Sequence, residues 1–456
     1  MRTRRCISLH PETQHETDCE IDLAVRVVGW FCKEGVFDQM KIESLRVQGF
    51  KSIRDIKISA LSGVNVFFGR NDVGKSNIFE ALSLWSWLLV TAEEADGQIA
   101  YADLDNAFPT PFQLEGAGQI QIQVRVLVRA KDISSNGVKD SPASRLDARL
   151  RHAGLEQCVL ESTVALERRA DKKVAFQIRN HWKEWEDFSL SPQEVASVLP
   201  RFHRIGATRR FESERWTQRN GEQPVDHYNL KQKLFYAYLS SDFQQKKRLE
   251  AIQRILAQEP FALGTLDIAL DPETNRIDIG FIRPQGRLPL ENLGSGSQQL
   301  LLILGQLFLG DYAWVALEEP EMNLSPFYQE HLLGVLRRLM QDPSVSLTQL
   351  FISTHSPYLE FTENFYDVFL DENNNTRVVL ADDRRRSAFF ALTPTGPDTQ
   401  ARLNSLNQVK LYDALVADLG LKRGDLVLFV KNEDTGHWEI RSATEVAQEL
   451  QSHIQQ

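Results

Sequence analysis

The chain has 456 residues, of which 25% are charged and 42% hydrophobic, and its formal net charge is -10. This length allows two or three domains, or one large domain with an insertion, and the composition is ordinary for a globular protein with a sizeable core. No apolar run approaches the ~20 residues of a membrane-spanning helix, and the N-terminal residues lack the apolar core of a secretory signal. The negative charge argues against a surface coated in basic residues for nucleic acid. We therefore expect a cytoplasmic protein that makes no membrane contact.

The sequence contains four cysteines: Cys6, Cys19, Cys32 and Cys158. They are too few and too scattered for a disulfide framework in a chain of this length, so we expect reduced thiols. The even spacing of the first three weakly suggests a metal site, but no C-x-x-C pair supports it. These three lie in residues 1–39, which precede the first regular pattern and which we expect to form an appended segment.

The first regular elements surround a loop bracketed by glycines. Residues Met40–Phe50 alternate apolar and polar side chains, which predicts a half-buried strand. Residues Val64–Phe68 are apolar and predict a buried strand, and a helix-like run reaches Val90 after the loop. The loop reads GRNDVGKS and has the spacing G-x-x-x-x-G-K-S, which is typical of a loop that holds a phosphate chain.

Each part of this loop has a chemical purpose. Gly69 and Gly74 allow the backbone to turn its N–H groups toward negative oxygens. Lys75 is at the position that reaches the β- and γ-phosphates, and Ser76 is at the position that places its hydroxyl on Mg²⁺. The helix that opens near Ser76 points its positive end at the same anion.

The middle of the chain predicts a β-layer followed by helices. Alternating runs at Gln119–Ala130, Cys158–Arg169 and from Lys173 predict antiparallel strands, the first two joined by a long loop. A mixed helical segment follows, in which Asn229–Leu256 has helical spacing but too few heptads for a long coiled-coil arm. Within the helical segment, Arg201–Arg215 carries five arginines, with Arg219 close behind. This run is either a solvated, salt-bridged face, the commoner case, or a contact to nucleic acid or phosphate.

A second set of motifs begins near residue 290. Gly294, Ser295 and Gly296 open a strongly apolar helix, which places backbone N–H groups and a small hydroxyl at a positive helix end and indicates a second phosphate contact. Farther along, Trp314–Leu317 predict a buried strand that ends in adjacent carboxylates at 318 and 319.

Two adjacent carboxylates after a buried strand suit Mg²⁺ chemistry. One can hold the metal or its water while the other accepts a proton from an attacking water. A further apolar strand, LTQLFIST, places His355 at its end, within reach of a γ-phosphate. Near the C-terminus, Asp425–Arg441 predict a hairpin and a closing helix follows from Ser442, which together indicate a small cap or docking module.

The order of these motifs resembles the ABC-type ATPases with an AAA-type ATP-binding domain, and within them the RecF, SMC-like and OLD-like branch. The resemblance rests on GRNDVGKSN as Walker A, GSGSQQ as the signature motif, VALEEPE as Walker B, NLSP as the D-loop and STHSP as the switch-histidine loop. It covers residues 40 to about 90 and 289 to about 360 and implies an α/β fold with a mixed β-sheet. The residue patterns described above add a β-rich and helical insertion between Walker A and the signature motif, and a small C-terminal cap.

The resemblance also implies ATP and Mg²⁺ as cofactors and assigns roles to residues. Glu318, with Ser76, supports the metal; Glu319 is the general base, with Glu318 or Glu321 next in line; and His355 senses the γ-phosphate. Ser295 and Gly296 would contact the ATP of a second copy, so a homodimer or a larger homo-oligomer is implied. The Walker A residues implied to contact ATP are Gly69, Arg70, Asn71, Asp72, Gly74, Lys75, Ser76 and Asn77.

The chain departs from the family pattern at several positions. Gly294 replaces a leucine and Ser297 a glycine of the signature motif, and Glu318 stands where many members carry aspartate. Ser325 stands where the OLD-like branch usually has a histidine, so contacts across a dimer would differ. The glutamine of the Q-loop is not placed by the sequence. Gln119, Gln121 and Gln123 are candidates by position only, and polar surface positions of a strand are the favoured interpretation of all three.

These observations predict an ATPase organised in five segments. We expect an appended segment at 1–39, an ATPase N-lobe at 40–190, a helical insertion at 191–260, an ATPase C-lobe at 261–370 and a cap at 371–456. The sequence shows no metal-binding acidic cluster of the Toprim kind found in OLD nucleases. The resemblance is therefore to stand-alone ATPase subunits of anti-phage systems, PARIS-type or Septu-type, which act with a separate Toprim or HNH nuclease on a nucleic-acid or phage-protein trigger. The alternatives are an SMC/RecF-like DNA repair ATPase and, less favoured, the nucleotide-binding subunit of a transporter.

Overall fold

The computed structural model describes most of the chain between residues 40 and 380 and the backbone of one hairpin near the C-terminus. The described residues are 40–92, 96–112, 118–133, 141–169, 172–207, 209–211, 229–342, 345–356, 359, 364–380, 427–431 and 438–442. The expectations for residues 1–39 and for the helix from Ser442 lie outside this part of the chain.

The strands within these residues are β1 (Lys41–Phe50), β2 (Ile53–Ile58), β3 (Val64–Phe68), β4 (Asp96–Ala100), β5 (Gln119–Arg129), β6 (Gln157–Arg168), β7 (Lys173–Trp182), β8 (Phe202–Ile205), β9 (Thr265–Asp271), β10 (Arg276–Arg283), β11 (Gly286–Pro289), β12 (Trp314–Glu318), β13 (Gln349–Thr354), β14 (Asn364–Leu370), β15 (Thr376–Leu380), β16 (Val427–Lys431) and β17 (Trp438–Ser442). The α-helices are α1 (Lys75–Thr91), α2 (Tyr101–Ala107), α3 (Pro142–Ala153), α4 (Pro192–Val198), α5 (Leu230–Leu239), α6 (Phe243–Ala257), α7 (Ser295–Leu309) and α8 (Pro326–Gln341).

The central sheet is mixed, with the order β15-β14-β3-β13-β12-β8. The strands from β14 to β8 run parallel, and β15 is antiparallel. Both faces are buried: along β12, Trp314 and Ala316 pack into one hydrophobic cluster while Val315 and Leu317 pack into the other. Because the strands are parallel, the carboxyl ends of β3, β12 and β13 meet at one edge, which we call the carboxyl edge.

The antiparallel β-layer predicted after the loop is confirmed. It has six strands in the order β2-β1-β5-β6-β7-β4, and β5 pairs with β6 along its whole length. Helix α1 packs between this sheet and the central sheet. Its Trp85 donates a hydrogen bond to Ser162 on β6 at 2.9 Å and stacks on Trp314 of β12 with ring centroids 6.4 Å apart, so one side chain joins both layers.

The opposite face of the central sheet is covered by helices and by a three-stranded sheet with the order β11-β10-β9. Helices α5 and α7 approach closely, since a Cβ added at Gly305 of α7 would lie 2.7 Å from the Leu230 side chain of α5.

The described strands β16 and β17 form the antiparallel hairpin that the sequence predicted. Within the described residues, the helices are all too short or too polar to cross a lipid bilayer.

Two local expectations were wrong. The polar stretch between β5 and β6 contains α3, whose start is capped by Ser141, accepting a hydrogen bond from the backbone N–H of Ser144 with proline at the next position. This serine–proline pair is a helix-start signal, and Leu146 and Leu150 have helical spacing. The segment expected to be helical from residue 191 also contains β8, which joins the central sheet beside β12.

Candidate nucleotide-binding site

The glycine-bracketed loop lies between β3 and α1, and the structure leaves no room for side chains at its two glycines. A Cβ added at Gly69 would lie 2.2 Å from the carbonyl oxygen of Val368. Gly74 has a φ of 95°, and a Cβ there would lie 2.2 Å from Oγ1 of Thr376. Both positions therefore require glycine, and the loop backbone forms the kind of cradle that surrounds phosphate oxygens.

The side chain of Lys75 is buried inside this loop. Its exposed fraction is 5%, and its ammonium donates hydrogen bonds to the carbonyl oxygens of Gly69 at 2.7 Å and Arg70 at 2.8 Å. Burial lowers the pKa of Lys75, and three nearby carboxylates oppose this effect: those of Glu319, Glu321 and Asp72. The cation thus lies between the loop and the acidic residues that follow β12.

A direct hydrogen bond joins the loop to the end of β12. The hydroxyl of Ser76, in the first turn of α1, donates to a carboxylate oxygen of Glu318 at 2.8 Å. Glu318 is the last residue of β12 and is 5% exposed. A hydroxyl and a carboxylate are oxygen ligands of the type that Mg²⁺ prefers, so this pair fits the metal that accompanies bound nucleotide phosphates.

Two arginines from the arginine-rich segment contact Glu318, a placement that sequence reasoning missed. The guanidinium of Arg204, on β8, forms ion pairs with Glu318 and with Glu80 of α1, the latter at 2.8 Å, and Glu80 also pairs with Lys51. Arg209 donates to the backbone carbonyl oxygen of Glu318. The signal was the density of arginine in this segment, but only the pairing of β8 with β12 shows which arginines face the acids.

Glu319, the predicted general base, follows β12 in a strained backbone conformation. Its φ is 42°, in the left-handed region that residues other than glycine rarely adopt, and its N–H donates to the carbonyl oxygen of Ser353 on β13 at 2.9 Å. Its side chain is half-buried. Such strain commonly accompanies functional sites, because the surrounding structure must hold the residue in place.

The predicted switch histidine is held by a buried acid. One carboxylate oxygen of Glu321 accepts hydrogen bonds from the Thr354 hydroxyl at 2.6 Å and from the backbone N–H of His355 at 2.9 Å. The same oxygen lies 3.4 Å from Nδ1 of His355, whose side chain is 48% exposed. The sequence named Glu321 only as a reserve base; the structure makes it the residue that orients the turn after β13.

The other Walker A residues expected to contact ATP differ in their exposure and hydrogen bonds. Arg70, Asn71 and Asp72 are exposed. The side-chain amide of Asn77 donates a hydrogen bond to the hydroxyl of Ser52 at 2.7 Å. This bond connects the first turn of α1, which follows the loop, to Ser52.

The signature residues lie at the start of α7. Ser295 is exposed, and a Cβ added at Gly296 would lie 2.7 Å from the carbonyl oxygen of Asn323, in the loop after β12. Among the described residues, Ser295 makes no hydrogen bond to the glycine-bracketed loop. Ser325, which stands at the position of a family histidine, caps α8 by accepting a hydrogen bond from the backbone N–H of Tyr328 at 3.3 Å.

Comparison with known families identifies the class of protein. Residues 64–361, about two-thirds of the chain, match the model of a family described as "AAA domain, putative AbiEii toxin, Type IV TA system". The chain belongs to this family. The family description names an AAA domain, in agreement with the AAA-type ATP-binding domain that the motif order predicted.

The curated relatives are matched over short segments. The chain is similar to two proteins of Methanocaldococcus jannaschii: uncharacterized protein MJ1542, at 28% identity over 136 residues, and uncharacterized protein MJECL10, at 38% identity over 47 residues. The matches cover 30% and 10% of this chain. They span only 16% and 22% of the two relatives.

The chain is also similar to solved structures of SMC head domains. One is the head domain from Thermotoga maritima, with 16% identity, coverage of 75% of this chain and 99% of that chain, and a TM-score of 0.39. Another is a head domain with an extended coiled coil, bound to the C-terminal domain of ScpA and derived from Pyrococcus furiosus, with 12% identity, coverage of 77% and 99%, and a TM-score of 0.45.

Proposed function

We propose that the chain binds ATP with Mg²⁺ at the carboxyl edge of the central sheet and hydrolyses it. The observation that carries this proposal is the 2.8 Å hydrogen bond between Ser76 and Glu318, because it joins the phosphate loop to the acid expected to support the metal. The two residues are far apart in sequence, and their contact brings together two oxygen ligands of the kind that hold a magnesium ion.

Each side chain at the edge has a role in this reaction. Lys75 binds the β- and γ-phosphates, and Ser76 and Glu318 hold Mg²⁺, which when bound neutralises charge on the phosphate oxygens. Glu319 accepts a proton from the attacking water, and His355 contacts the γ-phosphate. Glu321 positions His355 through the backbone hydrogen bond described above.

Replacing the loop lysine tests the ATP site. We expect Lys75→Ala to weaken ATP binding by at least about 100-fold, because it removes the buried cation that meets two phosphates. Affinity is measured by titration with a fluorescent ATP analogue. Lys57→Ala, at an exposed position of β2, is the matched control and should bind like the wild type. Equal affinity in Lys75→Ala and the wild type would show that nucleotide does not bind here.

We further propose that ATP closes two copies of the chain head to tail. Ser295 is exposed at the N-terminus of a 15-residue helix, where it and the helix end can meet the phosphates of a nucleotide bound by another copy. Gly296 packs against the loop after β12, so the signature helix is coupled to the acidic residues of its own copy.

Sedimentation tests the two-copy site. The Glu319→Gln protein, in which ATP should persist, is expected to double in mass when ATP is added. Adding Ser295→Arg should abolish the mass change by bulk and charge while leaving ATP binding by one chain unaltered. If ATP leaves the mass unchanged and Ser295→Arg alone hydrolyses ATP at the wild-type rate, the two-copy site is wrong.

In the cell, we propose that this ATPase is the sensor and regulator of an anti-phage system with a separate nuclease effector of the Toprim or HNH type. The family description refers to a toxin of a toxin–antitoxin system, which favours a multi-component defence system over transport. An SMC-like DNA organiser needs long heptad arms, whereas the two helices that the structure describes between β8 and β9 have 10 and 15 residues. A DNA repair ATPase stays the second candidate.

Purification with genomic neighbours separates these roles. A tagged copy of the chain is expressed together with the adjacent genes, and the co-purifying proteins are assayed for nucleic-acid cleavage. The defence proposal expects a nuclease whose activity depends on the ATPase. Recovery of a permease, or ATP hydrolysis stimulated by DNA ends in the chain alone, would contradict it.

A further inference from the structure

Arg209 is a buried cation with unused hydrogen-bond donors. Its exposed fraction is 7%, and its Nη2 donates to the carbonyl oxygen of Glu318. Within the described residues, neither Nε nor Nη1 has a hydrogen-bond partner. Most buried polar groups in folded proteins are hydrogen-bonded, so two unpaired donors on one buried guanidinium need an explanation.

The surroundings of Arg209 are those of the nucleotide site. Burial lowers the pKa of Arg209 to about 10, and the carboxylates of Glu318, Glu319 and Glu321 act against this effect. Glu319 and Glu321 also act on Lys75, and Glu318 accepts the hydrogen bond from Ser76. Arg209 therefore adds a second buried positive charge beside the acids that neighbour the phosphate loop.

Arg204 is an arginine at this edge whose donors are paired with carboxylates. Its Nε pairs with Glu318 and its Nη1 pairs with Glu80, so both groups already face carboxylates. Arg209 has the same kind of neighbours but keeps Nε and Nη1 unpaired. Buried donors without hydrogen-bond partners are costly to a folded protein, and the cost falls when an anion accepts a hydrogen bond from one of them.

We propose that Nη1 of Arg209 donates a hydrogen bond to the terminal phosphate of ATP. This inference rests on the proposed ATP site. A charged guanidinium is a strong donor to phosphate oxygens, and Arg209 lies beside the acids after β12 that also act on Lys75, the residue expected to meet the β- and γ-phosphates. Arg209 then distinguishes ATP from ADP and stabilises charge on the phosphoryl group during transfer. It belongs to none of the motifs that predicted the site.

The test compares two nucleotides that differ at the terminal phosphate. Affinities for the non-hydrolysable ATP analogue AMPPNP and for ADP are measured on the full chain with Mg²⁺. We expect Arg209→Ala to weaken AMPPNP binding by roughly 10- to 100-fold, the range for a hydrogen bond between charged groups, and to change ADP binding by less than about twofold. Arg210→Ala is the matched control, because Arg210 is the next residue and is exposed.

A conservative variant keeps the test decisive if alanine disturbs folding. Arg209→Lys retains a cation but loses the donor at the position of Nη1, so the preference for AMPPNP over ADP should fall several-fold. If both Arg209 variants keep the wild-type ratio of the two affinities, or lose both affinities together, the inference is wrong. Failure of the ATP site itself would look different: the wild type would bind neither nucleotide, or Lys75→Ala would bind both normally.

Discussion

The antiparallel sheet and the carboxyl edge of the central sheet use their residues in opposite ways. Along β5, Ile120 and Ile122 are buried while Gln119 and Gln121 are exposed, as expected of a strand with one face on the core. At the carboxyl edge, charged side chains are buried beside Glu319, which has a left-handed backbone, and beside Arg209, two of whose donors have no partner among the described residues. The first arrangement stabilises the fold. The second places buried charges and a strained backbone at the edge where we propose that nucleotide binds.

This difference predicts that the two regions respond differently to mutation. Substitutions in the antiparallel sheet should change the free energy of unfolding and leave nucleotide chemistry intact. Substitutions at the carboxyl edge should change nucleotide chemistry and leave the free energy of unfolding nearly constant. The following predictions test this separation, from the largest expected effect to the smallest.

The largest effect is expected for the general base at the carboxyl edge. Glu319→Gln keeps the shape of the side chain and removes its basicity, so single-turnover hydrolysis of ATP should slow by roughly 100- to 10,000-fold. ATP affinity and the free energy of unfolding should match the wild type. Glu250→Gln, at an exposed position of α6, is the control. Normal turnover in Glu319→Gln would reassign the base to Glu318 or Glu321.

A core substitution in the antiparallel sheet should have the opposite outcome. Ile122 is fully buried on β5, and Ile122→Ala should lower the free energy of unfolding by about 2–5 kcal/mol through lost burial and a residual cavity. The control is Gln121→Ala on the exposed face of the same strand, expected to change it by less than about 0.5 kcal/mol. Urea unfolding measures both. A changed ATP affinity in folded Ile122→Ala would show that the two regions are coupled.

The smallest effect concerns a thiol in the antiparallel sheet. Burial, with a smaller contribution from Glu184, raises the pKa of Cys158 from its ordinary value of 9.0 to about 12. The folded chain therefore keeps the proton at pH values where the unfolded chain loses it. The contribution of this thiol to the free energy of unfolding is complete below pH ~9. It is lost as the pH rises toward 12, by about 1.4 kcal/mol per pH unit.

Cys158→Ala removes this dependence. The measurement is the difference in the free energy of unfolding between wild type and variant at several pH values from about 8 to 10.5, so that the titration of other groups cancels. We expect the advantage of the wild type to shrink steadily above pH ~9. A difference that stays constant over this range would show that the thiol ionises equally in both states.

Much of the fold could be predicted because its signals are local. The strand Val64–Phe68, the glycine-bracketed loop and the start of α1 were read from apolar periodicity and from glycines whose conformations the structure requires. The alternation along β5 and β6 likewise predicted a sheet with one buried face. The serine–proline cap was a local signal for α3 as well, but the polar composition of this stretch led to the prediction of a loop.

The contacts around the acids could not be predicted, because they depend on strand order. Arg204 and Arg209 reach Glu318 only because β8 lies beside β12 in the sheet, although more than 100 residues separate them in the chain. Glu321 reaches His355 because β13 pairs with β12. The sequence by itself determined which residue types could bind phosphate and metal, since backbone periodicity and motif spacing are local properties. The tertiary structure decided which charges are buried together, because parallel strands bring distant segments to one edge.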